Sequence, residues 1–188
     1  MQHIRIAVYL DDPNIYRQYN DFDIYRKTIV YVEKWLAGVI VPEAKLLKNA
    51  YLQTTDNNIE DKRRILNSKD WTVKFGPEKK DIDTTLVTDA IFNAKRFAAI
   101  AIIGGDADYI PLFETLVKLR KTVYLVGFYD TIGSATIQHA VTNNVKIIYL
   151  PEPCKKCGGL GYFRFDNMSC FTCRGTGFFQ HWDSRYAA

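Results

Sequence analysis

The first 150 residues of this 188-residue chain hold no cysteine; all four cysteines lie between Cys154 and Cys173. No disulfide can brace the larger part of the chain, and a short cysteine-dense segment in a reducing compartment points to metal. Long apolar runs are missing too. None approaches the roughly 20 residues that a membrane-spanning helix needs, so no membrane contact is expected. Met1-Gln2-His3-Ile4-Arg5 has neither the basic start nor the long apolar stretch of a secretory leader, and a cytoplasmic location is expected. There is no Walker A sequence and no glycine-rich loop after the first apolar run, which argues against a nucleotide switch or a dinucleotide enzyme. The three histidines, His3, His139 and His181, have no mutual spacing that serves catalysis. With no Ser/His/Asp or Cys/His arrangement in view, acyl-transfer chemistry is set aside.

What is present is the composition of a folded domain with a small appendage, 47% hydrophobic and 14% aromatic. The net charge is a mild +4. If several acids converge in one pocket, the rest of the surface is more basic than this total. Lys62-Arg63-Arg64, Lys79-Lys80 and Lys118/Arg120/Lys121 are the candidates for such a basic rim. Taken singly, each cluster also reads as an ordinary solvated face.

The stretch from Ala98 to Pro111 organises the chain: an apolar run, Gly104-Gly105, Asp106-Ala107-Asp108, then a helix start with Pro111 in its first turn. The run reads as a central strand buried on both faces. Two carboxylates then stand where open α/β sheets place ligands. A helix cap would account for one of them, not both. The first strand, Ile4 to Leu10, likewise runs into Asp11-Asp12-Pro13-Asn14. Tyr25, Ile29, Val32 and Leu36 mark one stripe of a helix over 23–37. A strand lies around residues 49–53, a polar helix over 59–68, and an edge strand over 71–75 that ends at Gly76-Pro77. Asp83 precedes a helix from Thr84 to about Arg96, and Asp89 lies within it. Six residues turn a helix so that two side chains point about 120° apart. Asp83 and Asp89 therefore share a pocket only if Asp83 sits outside the helix proper. Residues 122–126 and 145–150 are further strands, with a helix capped by Ser134 between them. Strand and helix alternate throughout, which predicts a parallel sheet with helices on both faces. Residues 1–150 form this domain, and 151–188 hold a Pro151-Glu152-Pro153 linker and the cysteines.

Asp11, Asp83, Asp106 and Asp108 fall on the same predicted sheet edge. Carboxylates crowded there repel one another unless cations neutralise them, and Mg²⁺ or Mn²⁺ suits oxygen ligands. Such a site suits phosphodiester hydrolysis. Asp11-x-x-Asn14, Lys80-x-x-Asp83 with Asp89 six further on, and Gly105-Asp106-x-Asp108-Tyr109-x-Pro111 resemble the NYN domain, the LabA-like branch of the PIN-like nucleases. The resemblance covers about residues 4 to 150. It implies a PIN-like parallel sheet in 3-2-1-4-5 order and a Mg²⁺- or Mn²⁺-dependent endoribonuclease. It also implies that Asp11, Asp83, Asp106 and Asp108 bind metal and act in catalysis, with Asn14 and Asp89 supporting. Gly104 stands where the family usually has Ser or Thr, Ala107 replaces a common Ser, and Asn143 replaces a common Asp. A non-catalytic RNA- or protein-binding adaptor and a structure-specific DNA nuclease are the alternatives.

Cys154-x-x-Cys157 and Cys170-x-x-Cys173 can close a tetrahedral thiolate site for one structural Zn²⁺ in a small hairpin. The repeated CxxCxGxG resembles the cysteine-rich region of DnaJ chaperones, and implies the metal site without the chaperone activity. Tyr162, Phe163, Arg164 and Phe165, between the knuckles, stack on unpaired bases or pack the finger onto the main domain. Lys62, Arg63, Arg64, Lys80, Phe163 and Arg164 are the candidate nucleic-acid contacts, with RNA the expected partner and a protein partner through the finger the other option. Nothing in the sequence selects between a monomer and a dimer.

Overall fold

The computed structural model describes residues 5–16, 22–39, 45–56, 58–163 and 168–178. Six strands, β1 (Arg5–Asp11), β2 (Lys45–Gln53), β3 (Thr72–Gly76), β4 (Ala99–Ile103), β5 (Thr122–Phe128) and β6 (Lys146–Leu150), form one sheet in the order β3-β2-β1-β4-β5-β6. All five pairings are parallel. The expected 3-2-1-4-5 order is present and β6 extends it at one edge. β4 is buried along its whole length, as its unbroken apolar run requires.

Helices cover both faces. Against one lie α2 (Phe22–Val39) and α3 (Ile59–Asn67), the predicted stripe Tyr25, Ile29, Val32 and Leu36 being buried with Val8, Leu10, Ala101 and Val126. Against the other lie α4 (Lys79–Asn93), α5 (Ile110–Lys118) and α6 (Ser134–Thr142), burying Ile82, Leu86, Leu112, Phe113 and Ala140 on Tyr9, Ile102 and Leu125. A short helix, α1 (Asp12–Tyr16), follows β1 directly. Among the described residues no helix is long and apolar enough to cross a membrane.

Two expectations about helix starts are corrected. α4 begins at Lys79, with extended Glu78 as its cap residue, so Asp83 lies inside the helix. The early turn is polar and shows no apolar period, but Ile82 packs closely over Gly76 and anchors it. Gly133, not Ser134, takes the cap position of α6.

Candidate functional site

The strand order reverses between β1 and β4, so the chain leaves these neighbouring strands in opposite directions, and the carboxyl ends of strands at such a reversal are where open parallel sheets place ligands. Three loops are laced together there. The Gly105 N–H donates to Asn14 Oδ1 at 2.8 Å, and the Asn14 N–H donates to Asp11 Oδ1 at 3.2 Å. The Gly104 N–H donates to the Val126 carbonyl at 2.9 Å. A Cβ on Gly105 would lie 2.4 Å from the Thr131 carbonyl oxygen and 2.9 Å from Ile132 Cα, both backbone atoms, so only glycine fits. Gly104 has φ +157, and a Cβ on it would come within 3.1 Å of Asp11 Cβ. Gly104 thus lets the loop lie close on Asp11.

Asp106 caps the 3-10 turn of Ala107–Tyr109, its Oδ1 accepting the Asp108 N–H at 3.2 Å. Asp83 comes from the second turn of α4. Asp83, Asp106 and Asp108 each offer a carboxylate oxygen, and these lie within 4.8 Å of one another, the first two half-buried and the third exposed. Asp11, expected as a fourth ligand, is fully buried and is not one of the three carboxylates that come within 4.8 Å of one another. Between them sits Tyr109, whose hydroxyl is 2.9 Å from Asp11 Oδ2 and 2.9 Å from Asp83 Oδ1. Its single proton serves either carboxylate but not both at once. Burial, then the charges of Asp11 and Asp83, push the Tyr109 phenol far above its usual range, so it remains a donor at any working pH. In the sequence Tyr109 is only the aromatic of a motif, since a tyrosine at the start of an apolar helix looks like core.

The chain's residues 5–148 match the family model of the NYN domain. The chain belongs to the NYN domain family. The family is nuclease-like, which at the coarse level points to a hydrolase. A crystal structure of a protein of unknown function from Vibrio parahaemolyticus is similar to the chain, with a TM-score of 0.61 and 20% sequence identity over 79% of this chain and 95% of that one. At that identity the likeness carries the fold alone. No curated protein matches the chain.

Other expected site residues of the NYN domain lie apart from the acidic group. Asp89, on the same helix as Asp83 and about 120° around it, faces the sheet side of β2 and β3. Its Oδ2 accepts from the Tyr51 hydroxyl at 2.5 Å and from Lys74. Lys62 is corrected outright. It is fully buried, paired with Asp12 and Asp56, and faces the Tyr16 and Tyr25 rings at 3.5 and 4.9 Å, so it cannot meet a nucleic acid at the surface. Arg63 and Arg64 are exposed, beside Glu60 and Asp61 one turn back at 3.6 and 3.3 Å. Lys80 is exposed at the start of α4.

Beyond the NYN match, Cys154, Cys157, Cys170 and Cys173 form a second buried group able to hold a metal ion. The Cys154 and Cys170 sulfurs are 3.9 Å apart, and those of Cys157 and Cys173 3.7 Å. Four sulfurs around one zinc at about 2.3 Å would be about 3.8 Å apart, so the cluster fits the ion. The Gly161 and Gly177 N–H groups donate to the Cys157 and Cys173 sulfurs at 3.2 and 3.3 Å. This cysteine unit docks on α2: the Lys27 ammonium donates to the Gly159 and Leu160 carbonyls, and the Tyr31 and Phe178 rings are 4.7 Å apart. Phe163 is half-buried against the cysteines, with its ring 5.7 Å from that of Phe171. Arg164 and Phe165 lie outside the described residues.

Proposed function

We propose that this NYN domain is an endoribonuclease that hydrolyses RNA phosphodiester bonds with Mg²⁺ or Mn²⁺ held by Asp83, Asp106 and Asp108. The observation that supports it is the convergence of these three carboxylates within 4.8 Å at the carboxyl edge of the sheet of a nuclease-like fold. Oxygen-only donors of this kind match hard divalent cations. Such a cation, when bound, activates water and offsets charge on the leaving oxygen. The chain's own residues hold that centre in shape. The Tyr109 hydroxyl stands between Asp83 and the buried Asp11 and donates to one of them at a time, and Asn14 ties the Asp11 loop to Gly105, the residue before Asp106. The exposed Arg63, Arg64 and Lys80 are the cations that meet the phosphate backbone. In the same reading the four cysteines carry one structural Zn²⁺.

The test incubates end-labelled single-stranded RNA with the parent and with Asp106→Asn, in Mn²⁺ and in EDTA. Cleavage by the parent in Mn²⁺ alone, lost in the variant, is the expected result. Cleavage that persists equally in the variant or in EDTA overturns the assignment. A parent that binds RNA without cutting any sequence tried makes the chain an adaptor.

A further inference from the structure

We propose that the outward half of the cysteine unit, with Phe171 and Arg174 on its second knuckle and Lys155 and Lys156 on its first, is a binding face for single-stranded RNA. The choice of ligand rests on the ribonuclease reading; the place of the face does not. Cys154–Gly161 and Cys170–Gly177 are one backbone used twice. The Gly159 and Gly175 N–H groups donate to the Cys154 and Cys170 carbonyls, both at 3.1 Å, just as Gly161 and Gly177 donate to the Cys157 and Cys173 sulfurs. The flanks repeat too, since Pro153 bridges Phe178 as Ser169 bridges Tyr162.

The two halves have different surroundings. In one, Pro153 and Gly159 are buried, a Cβ on Gly159 would lie 2.8 Å from Ile24 of α2, and Phe178 is buried beside Tyr31. In the other, the equivalent Ser169, Gly175 and Tyr162 are exposed. A Cβ on Gly175 would find its nearest neighbours within the unit, Ser169 and Gly161, at 3.6 to 4.0 Å. One half docks and its twin is left free. Phe171, in the second knuckle, is 76% exposed. Phe163, the ring expected from the sequence to stack on bases, is half-buried against the cysteines and backs Phe171, with ring centres 5.7 Å apart.

Arg174 has φ +51, in the place where the first knuckle has Gly158 at +58. Glycine makes such a turn more easily, so the turn does not account for the arginine. Arg174, Lys155 and Lys156 are all exposed, and no carboxylate stands among the described residues from Cys154 to Phe178. An open ring and three cations on one small unit match a strand of bases and phosphates. An apolar protein segment would use the ring and leave the cations without a role. Only Pro151-Glu152-Pro153 separates the unit from the carboxyl end of β6, and all six strands are parallel. RNA held there is therefore at the sheet edge where Asp106 and Asp108 follow β4.

Fluorescence anisotropy of a labelled single-stranded RNA is measured over a series of salt concentrations on the full chain carrying Asp106→Asn. The same is done with Phe171→Ala, Phe171→Tyr or Arg174→Gly added, and metal content and melting temperature are checked for each. Phe171→Ala should bind about ten-fold more weakly with the same salt dependence, since a stacked base releases no counterions. Tyrosine should restore the binding. Arg174→Gly should flatten the slope of log affinity against log salt by about 0.7, as the loss of one phosphate contact does. Unchanged affinity for Phe171→Ala, with metal and melting temperature kept, overturns the face whether or not the parent cleaves RNA. Should that variant lose its metal, Arg174→Gly decides, an unchanged affinity and slope again overturning it. Weakened, tyrosine-rescued binding with no cleavage by the parent leaves the face standing and removes the nuclease. If Asp106→Asn binds no single strand at all, both fall.

Discussion

The Lys62 ammonium lies 2.7 Å from the Asp12 carboxylate, and neither side chain reaches solvent. Asp56 closes the other side of the ammonium. Burial pushes the Asp12 pKa up while the Lys62 charge opposes it. The pair ties α3 to the residue that follows Asp11, and so braces the first strand end of the acidic site.

Removing that cation leaves two carboxylates facing each other in the interior. Lys62→Ala should therefore destabilise the fold by about 3–5 kcal/mol, against less than about 0.5 kcal/mol for Arg63→Ala on the surface. Urea unfolding followed by circular dichroism measures both. Equal midpoints for the two variants would show that the buried pair does not stabilise the domain.

The acidic group should respond to cations in the folded state without any substrate. Mn²⁺ at a hundred times its dissociation constant stabilises a protein by about 2.7 kcal/mol, which appears as a rise in the parent's melting temperature. Asp106→Asn should melt slightly above the parent in EDTA, because one repelling charge is gone, and should rise less with Mn²⁺. A parent melting temperature unmoved by millimolar Mn²⁺ or Mg²⁺ would count against a metal centre at Asp83, Asp106 and Asp108.

Protein purified without added metal should carry one zinc per chain by elemental analysis, with thiols that become titratable only after a strong chelator is added. Cys157→Ser should lose the ion and loosen the contact of the cysteine unit with Lys27 and Tyr31, while the sheet stays folded, since no cysteine enters either of its two cores. Zinc content near zero would leave the cysteine cluster without its ion.

Tyr9, Tyr25, Tyr51 and Tyr109 are all buried, and burial is the largest cause raising each phenol, Tyr9 to about 12. The unfolded chain loses these protons near pH 10 and the folded one only at higher pH. Stability is therefore whole below pH 10 and falls as pH rises above it. Titration at 295 nm should show the exposed tyrosines ionising first. The buried four should then ionise in one steep step that coincides with loss of helix signal. A smooth titration of all 12 tyrosines with the fold intact would contradict this burial.

The acidic edge was legible in the sequence because its cues are local. An apolar run that ends in two glycines and two aspartates can be read within 14 residues, and the stripe of α2 within one helix. The same local rules placed Asp89 at an angle to Asp83, and the fold keeps them apart for that reason. The inside–outside choice among Lys62, Arg63 and Arg64 was not legible. Three successive helix positions point about 100° apart, and the inward one is set by Asp12, 50 positions earlier. Nor could the chain show that the Tyr109 hydroxyl meets Asp11, 98 positions away, and Asp83, 26 away. Residue order and apolar period determine which segments become strands and helices. Which polar atoms meet is decided only when parallel strands distant in sequence are laid side by side, because a hydrogen bond depends on distances of a few ångströms that no spacing along the chain encodes.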